Sequence, residues 1–326
     1  MKFMTCTAFG LAAVVVSAMP SLAQTKWNLP SAYPPSNYQT ENLVQFAKDV
    51  SDATGGGLEI IVHSNASLFK APEIKRAVMT GQAQMGEVLM SIHENEDPIY
   101  GIDIVPFIAT GFDESVKLWE AAKPAVEKKL ESQRMKLLFS VPWPPQGLYS
   151  STAEVKTIDD LEGQKWRAYN VGTARIGEAV GAQAVTVQAA DMAQALATGV
   201  VTAWMSSGST GYDIKVWESQ KHFYDVQAWL PRNIVFVNQA AFDALDAPTQ
   251  EAVLKAAAAA EARGLELAKE KTNFYLTEFK AHGMIVEPPT PELQTELKKI
   301  GEGLVNDWLE RAGAAGQEVL DTYKKM

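Results

Sequence analysis

The sequence predicts an α/β protein with two domains. Short apolar runs alternate with longer amphipathic ones along most of the chain, which is typical of strands interleaved with helices. Of its 326 residues, 47% are hydrophobic and 21% are charged, a composition that can bury a large core. Because a single core stops growing at roughly 250–300 residues, we expect two domains.

The first 23 residues have the features of a cleaved secretory signal. Lys2 precedes an apolar run over residues 8–18, and the small residues of 21–23 suit a signal peptidase. The run is shorter than the ~20 residues of a membrane span, and polar residues follow it, which disfavours a membrane anchor or a buried helix. Cleavage would remove Cys6, the only cysteine, and leave an exported, thiol-free protein. We expect a soluble monomer.

The remaining chain begins with a predicted helix over 38–53. It ends at three consecutive glycines, Gly55 to Gly57, which indicate a helix C-cap and a turn. Strands and helices then alternate. We predict strands at 58–62, 84–89, 137–141, 164–168 and 200–205, and helices at 72–79, 113–133 and 173–180.

Two long helices are predicted at the end of the chain. The Ala-rich stretch from Pro248 to His282 favours a helix throughout. Since a typical helix has about 11–12 residues, we expect this one to cross more than one domain or to bend near Gly264. A last helix is predicted from Pro291 to about Tyr323.

Charge and motif content disfavour several functions. A net charge of −10 without a basic block argues against binding of nucleic acid. Four scattered histidines and the absence of a phosphate-binding glycine motif predict neither a metal site nor a cofactor. No catalytic residue can be identified, so we do not expect an enzyme. A secreted hydrolase or lyase with Glu87, Asp191 or a tyrosine as its base is a distant alternative.

Arg167 is the leading candidate for a ligand contact. It lies at the carboxyl end of a predicted strand, where open α/β sheets bind their ligands. A guanidinium group there can hold a carboxylate through two parallel hydrogen bonds. The alternative is an arginine that is exposed or paired in a salt bridge.

Aromatic and polar side chains near the predicted strand ends complete the candidate site. Trp143 and Trp166 stand where rings can line a cleft, although tryptophans also pack in cores. Ser206 and Ser207 can donate to an anion or form a plain loop. The expected ligand-binding residues are Arg167, Trp143, Gln146, Trp166, Tyr169, Asn170, Trp204, Ser206, Ser207, Tyr33, Glu87 and Tyr212.

Glu87 lies within an otherwise apolar predicted strand, where a carboxylate needs a partner. It can pair with Arg167 or Lys165, bind a ligand amine or hydroxyl group, or point to solvent from the other face of the strand. With an aromatic cage, Glu87 would hold a small amine or quaternary ammonium ion. That ligand is the main alternative to a carboxylate.

Several segments resemble the periplasmic solute-binding proteins of TRAP transporters, which are driven by an ion gradient. Residues 158–167 (IDDLEGQKWR) are similar to the family's strand that ends in a ligand-clamping arginine. Residues 193–201 (AQALATGVV) are similar to an element that leads into the cleft. The resemblance covers the chain, since further similar segments lie at 28–69, 73–85 and 103–107.

The resemblance implies a two-lobe periplasmic-binding-protein fold with hinge strands and a long helix spanning both lobes. The lobes would be discontinuous, with 24–144 and 233–272 in lobe I and 145–232 and 273–326 in lobe II. It also implies that the protein captures a small organic acid and delivers it to the membrane permease subunits of a TRAP transporter.

Two departures from the family pattern bear on the ligand. The serines at 206–207 replace an asparagine that many members have, and Pro145-Gln146 stands where sialic-acid-type members have a further arginine. Together with the nearby aromatic residues, these departures favour an aromatic or branched monocarboxylate over a polyhydroxylated sugar acid.

Overall fold

In a computed structural model, the chain is described over residues 24–151 and 154–326, so the predicted signal segment lies outside the described residues. The strands are β1 (Thr25–Pro30), β2 (Leu58–His63), β3 (Met85–Leu89), β4 (Met135–Pro142), β5 (Gln146–Ser150), β6 (Lys165–Ala168), β7 (Gln183–Thr186), β8 (Ala203–Ser207), β9 (His222–Tyr224), β10 (Arg232–Asn238) and β11 (Ile285–Glu287). The helices are α1 (Tyr38–Ala53), α2 (Ala71–Met79), α3 (Phe112–Ser132), α4 (Val171–Ala179), α5 (Met192–Ala197), α6 (Gly208–Asp213), α7 (Gln239–Asp243), α8 (Ala247–Ala281) and α9 (Pro291–Tyr323). Short 3-10 helices occupy Met90–His93, Pro98–Ile104, Ile158–Leu161, Ala189–Asp191 and Val216–Glu218.

The predicted helices and strands are confirmed to within three residues at each end. Gly55 and Gly56 follow α1 with φ of 58° and 80°, in the left-handed region that ends a helix. Strands β1, β5, β7, β9, β10 and β11 were not predicted. Most of these are short, or have apolar residues on both faces, so they lack a period-2 pattern.

Lobe I is built on two sheets. Strands β1 and β2 form a parallel pair, and β3, β10 and β4 form an antiparallel sheet in that order. Strand β10 lies at the centre, with Asn233 opposite Leu89 of β3 and Val141 of β4. Helices α1 and α3 cover separate apolar clusters, which include Phe46 and Trp119 respectively.

Lobe II is built on one mixed sheet of six strands in the order β11-β9-β5-β8-β6-β7. Strand β6 runs parallel to both of its neighbours, so its carboxyl end and that of β7 meet at one edge. Arg167 of β6 lies opposite Trp204 of β8 and Val185 of β7. Side chains of the sheet, including Leu148 of β5 and Trp166 of β6, form an apolar cluster in the core of this lobe.

The lobes are joined by two crossing segments and by α8. The segments between β4 and β5 and before β10 are hydrogen-bonded to each other, with Trp143 N donating to Pro231 O at 2.7 Å. Helix α8 packs in lobe I as far as Ala268 and in lobe II at Phe279. We expected this helix either to cross more than one domain or to bend near Gly264, and in the structure it crosses from one lobe to the other. Gly264 serves close packing, because a Cβ there would lie 2.5 Å from Val141.

The residue boundaries of the lobes stay a prediction, and α9 bears on them. Its first half packs Leu293 and Leu297 into lobe II. Its second half packs Trp308 and Leu320 into lobe I, although we expected all of 273–326 in lobe II. The helix is interrupted at Gly313, where φ is 57°. Helix α9 therefore forms a second helical connection between the lobes.

No helix in the described part of the chain is both long enough and apolar enough to cross a bilayer.

Candidate ligand-binding site

A cavity of about 380 Å³ lies between the lobes, a size that suits a small molecule. Lobe I lines it with Ala32, Tyr33, Ala66, Lys70, Ala71, Pro72, Glu73, Leu89 and Ile92. Lobe II contributes Gln146, Arg167, Tyr169, Gln188, Ala189, Ala190, Asp191, Ser206, Ser207 and Thr210. Trp143 and Pro231 of the crossing segments complete the lining.

Arg167 places a buried positive charge at this cavity. Its side chain is 3% exposed, and its Nε donates to Val187 O at 2.9 Å. The guanidinium carbon lies 4.8 Å from the ring centre of Tyr169 and 5.7 Å from that of Trp204. No carboxylate of residues 24–151 or 154–326 forms an ion pair with it. A buried charge without a counter-ion is unfavourable, so this site is suited to an anion.

Burial lowers the pKa of the Arg167 guanidinium to about 10, because the charged form loses hydration. The group therefore stays protonated at neutral pH. The phenol of Tyr169, itself buried, accepts a hydrogen bond from Trp229 Nε1 at 3.2 Å and so holds its ring beside the guanidinium. The contacts of the chain itself therefore hold the guanidinium in place.

Trp166 does not line the cavity, which corrects its assignment as a ligand residue. Successive side chains of a strand point to opposite faces, so Trp166 and Arg167 diverge. Trp166 is fully buried in the core of lobe II, and its Nε1 donates to Thr173 O at 2.9 Å. Its ring also closes against Gly177, where a Cβ would lie 2.4 Å from Trp166 Cδ1.

Trp204 and Tyr212 also lie outside the lining. Trp204 is fully buried, where it stacks on Tyr149 at 4.1 Å and backs the guanidinium of Arg167. Tyr212 packs between Trp217 and the α8 residue Phe274. Neither side chain has access to a ligand, because both are used in the aromatic core of lobe II.

Asn170, too, was assigned to the ligand and instead caps a helix. Its Oδ1 accepts from Thr173 N at 2.8 Å at the start of α4, and its Nδ2 donates to Ser91 Oγ at 2.7 Å. It lies beside the cavity and does not line it.

Three other expected ligand residues of lobe II line the cavity and present polar groups to it, namely Gln146, Ser206 and Ser207. Gln146 Nε2 donates to Pro144 O at 2.9 Å, which leaves its amide oxygen for a ligand. Ser207 Oγ accepts from Thr210 N at 3.3 Å and caps α6. The Ser206 hydroxyl makes no hydrogen bond within the described chain, so it is free to bind a ligand.

Tyr33 and Trp143 form the aromatic part of the lining. Their ring centres lie 4.8 Å apart at an angle of 60°. Both bond to Asn233 Oδ1, which accepts from Trp143 Nε1 at 2.8 Å and from the Tyr33 hydroxyl at 3.3 Å. The polar atoms of both rings are thereby engaged behind the cavity, and the rings present apolar surface to it.

Glu87 lies behind this aromatic wall and not in the cavity. Its carboxylate accepts from Ser31 Oγ at 2.5 Å and from Asn233 Nδ2 at 2.8 Å. It pairs with neither Arg167 nor Lys165, and it is only 1% exposed, so the three roles considered for it are wrong. Burial raises the pKa of Glu87 to about 7.

Four polar or charged lining residues were not among the expected ligand-binding residues, although Asp191 was considered as the base of a secreted hydrolase or lyase. Lys70 and Glu73 stand at the start of α2, and Gln188 and Asp191 follow β7. Because β7 is parallel to β6, its carboxyl end meets the edge that carries Arg167. Recognition of β7 would have identified Gln188 and Asp191, but this strand has four residues, all exposed, and no apolar run marks it.

Residues 31–311 match the family model described as bacterial extracellular solute-binding protein, family 7. A solute-binding protein of Chromohalobacter salexigens is 27% identical over 179 residues, which cover 54% of this chain and 52% of that protein. The chain thus aligns with about half the length of that curated relative.

Two crystal structures are similar over nearly the whole chain. DctP6, a Bordetella pertussis extracytoplasmic solute receptor binding pyroglutamic acid, is 55% identical with a TM-score of 0.91, covering 93% of this chain and 100% of that one. A TRAP solute-binding protein of an unidentified marine microbe, specific for pyroglutamate and solved with the co-purified ligand, is 46% identical. Its TM-score is 0.91, with 93% of this chain and 100% of that chain covered.

Proposed function

Since its family match extends over residues 31–311, the chain belongs to family 7 of the bacterial extracellular solute-binding proteins, and we propose that it binds pyroglutamate. It is a solute-binding component of a transporter and not an enzyme. We further propose that it acts in the periplasm after cleavage of residues 1–23 and delivers its ligand to the permease subunits of a TRAP transporter.

The buried, unpaired guanidinium of Arg167 carries this proposal. Pyroglutamate is a five-membered lactam with a single carboxylate, which can form two parallel hydrogen bonds with an arginine. The ring would then lie against the apolar surface of Tyr33 and Trp143. Its lactam N–H and C=O would face polar groups such as the Gln146 amide oxygen and the Ser206 hydroxyl.

The similar crystal structures support pyroglutamate over the aromatic or branched acid that we expected from sequence. Both are more than 40% identical over their full length, and both are described as binding it. Binding of an aromatic or branched monocarboxylate stays a prediction, and such a ligand would bind through the same Arg167 guanidinium. An amine ligand has no support, because Glu87 is sealed behind the aromatic wall.

The proposal is tested by calorimetric titration of protein that has been unfolded, dialysed and refolded to remove co-purified ligand. The panel contains L-pyroglutamate, its neutral amide, L-proline, benzoate, isovalerate and trimethylglycine. We expect L-pyroglutamate to bind best, the amide to lose most of the affinity with the carboxylate charge, and proline to bind weakly because its protonated ring nitrogen opposes Arg167. Tight binding of benzoate or isovalerate with none of pyroglutamate would overturn the ligand assignment and keep the carboxylate clamp.

A further inference from the structure

Two asparagines, one on each lobe, both cap a helix and reach across to the opposite lobe. Asn37 precedes α1 of lobe I, and its Oδ1 accepts from Gln39 N at 2.8 Å. Its Nδ2 donates to two residues of α6 in lobe II, to Asp213 Oδ2 at 2.6 Å and to Ser209 Oγ at 3.1 Å. The residue is 1% exposed, so water does not compete for these bonds.

Asn170 repeats this arrangement in the opposite direction. It caps α4 of lobe II through its Oδ1, while its Nδ2 donates to Ser91 Oγ in lobe I at 2.7 Å. An ionic contact lies beside this bond, since Arg175 Nη1 of α4 is 3.5 Å from Glu94 Oε1 of lobe I.

Capping alone does not account for asparagine at both positions. Asn, Asp and Ser are nearly equal as N-caps, because each offers a side-chain oxygen to the backbone N–H groups of the first turn. Once its oxygen is engaged at the cap, aspartate has no donor left, and serine can donate only from that same oxygen atom, whereas asparagine has a separate amide nitrogen that can reach a second partner. The shared feature of the two sites is therefore the amide nitrogen, and in both cases that nitrogen bonds to the other lobe.

Both bonds lie next to the cavity without entering it. Ser91 stands between the lining residues Leu89 and Ile92, and Ser209 stands between Ser207 and Thr210. Contacts that join the two walls exist only while the walls are together, so they stabilise the closed form relative to an open one.

We propose that Asn37 and Asn170 are positioning residues that hold the lobes closed over the ligand. This inference rests on the proposed function, since its consequence is tighter and longer retention of the ligand. Loss of one such hydrogen bond from the closed form should weaken ligand binding by roughly 3- to 10-fold, mainly through a faster dissociation rate.

The two sites differ in what faces the amide, and this difference gives a sharp test. Asn37→Asp keeps the cap but sets a second carboxyl group against Asp213, whose pKa burial raises to about 7. The binding experiments are therefore made well above pH 7, where both groups are ionised and the lobes should repel. Asn170→Asp also keeps the cap, and the Ser91 hydroxyl can rotate to donate to the new carboxylate. If the residues were caps only, the two aspartate variants would behave alike.

The experiment measures the dissociation constant and dissociation rate of L-pyroglutamate for both aspartate variants and for Asn37→Ser and Asn170→Ser. We expect a loss of more than about tenfold for Asn37→Asp, less than about threefold for Asn170→Asp, and roughly 3- to 10-fold for each serine variant. Thermal unfolding of the free proteins serves as the control for the caps. Equal affinities for all four variants and the wild type would overturn the proposal.

A ligand-independent measurement separates this inference from the ligand assignment. Residues 24–326 contain no cysteine, so spin labels can be placed at Leu68→Cys and Val185→Cys, exposed positions on opposite lobes that precede the lining residues Lys70 and Gln188 in the sequence. We expect Asn37→Asp to shift the interlobe distances toward longer values even without ligand, and Asn170→Asp to leave them unchanged. If the distances shift as expected but the protein does not bind pyroglutamate, only the ligand assignment is contradicted. If both variants have identical interlobe distances, the proposed role of the asparagines is contradicted.

Discussion

The two walls of the cavity divide the work of recognition. Lobe II presents a fixed cation at Arg167 and a free hydroxyl at Ser206. Lobe I presents mainly apolar surface there, and its own buried carboxylate, Glu87, is turned away and bonded to Asn233. We infer from this difference that Arg167 of lobe II recognises the carboxylate of the ligand, although lobe I also carries the charged residues Lys70 and Glu73 in the lining. On the same inference, lobe I supplies apolar cover through residues such as Tyr33 and Leu89.

The largest expected effect comes from removing the cation of lobe II. Arg167→Met should lower the affinity for the carboxylate ligand by about 30- to 1000-fold, or about 2–4 kcal/mol, because the ligand charge loses its buried partner. The free protein should be no less stable, since an unpaired buried charge is itself unfavourable. Calorimetry measures the affinity, and thermal unfolding measures the stability of the free protein.

The matched control for this variant is Arg76→Met, the same substitution at an exposed arginine of α2 that does not line the cavity. It should bind as the wild type does. An Arg167→Met protein that binds within threefold of wild type would show that the carboxylate is recognised elsewhere.

The buried carboxylate of lobe I should act on stability and not on the ligand. Because burial raises the pKa of Glu87 to about 7, the folded protein holds a proton there that the unfolded chain has lost. The contribution of Glu87 to the free energy of unfolding is therefore complete below about pH 4.5 and is lost as pH rises through 7. Relative to wild type, Glu87→Gln should gain up to about 3 kcal/mol between pH 5 and pH 8.

Urea unfolding of both proteins at the two pH values measures this change. The difference in stability between wild type and Glu87→Gln reports on Glu87 alone, because both proteins contain Asp103 and Asp213, whose pKa values are also raised by burial. Ligand affinity at pH 8 should change by less than about threefold, because the glutamine retains an acceptor for Asn233. A pH-independent difference in stability would contradict the account of Glu87.

The cover supplied by lobe I is tested at Tyr33. Tyr33→Ala should weaken binding by about 5- to 30-fold, since the ring that faces the cavity is lost. Tyr33→Phe keeps the ring and removes only the bond to Asn233, so it should change the affinity by less than about threefold. Equal effects of the two substitutions would mean that the hydroxyl, and not the ring, is the contribution of lobe I.

The smallest effects separate two neighbouring serines of lobe II. Ser206→Ala should weaken binding by about 3- to 10-fold without changing stability, because this hydroxyl has no partner in the described residues. Ser207→Ala should lower stability by about 1 kcal/mol, because it removes the cap of α6, with little effect on the ligand. Titration and urea unfolding of both variants measure the two effects, and a reversed pattern would exchange the roles of the two side chains.

The comparison also explains what could be predicted from the sequence. The longer helices and the position of Arg167 follow from local patterns, namely amphipathic periodicity, glycine and proline at helix ends, and the carboxyl end of a strand. The short helices α5, α6 and α7 were not predicted. From its length alone, helix α8 was expected either to cross between domains or to bend near Gly264, and in the structure it packs in both lobes.

The rest depended on contacts that are distant in the sequence. Trp166 and Arg167 are adjacent, yet the alternation of a buried strand sends one into the core and the other to the cavity. The direction of each face is set by neighbouring strands, including β7, which carries no sequence signal of its own. The partner of Glu87, Asn233, lies 146 residues further along the chain on β10, a strand that was not predicted.

Recognition of the ligand carboxylate by Arg167 is tested by a double-mutant cycle, measured by calorimetry. Pyroglutamate and its neutral amide are each titrated into the wild type and Arg167→Met. We predict that the wild type prefers the carboxylate by about 30-fold or more, and that Arg167→Met loses this preference. A variant that still prefers the carboxylate as strongly as the wild type would contradict the account.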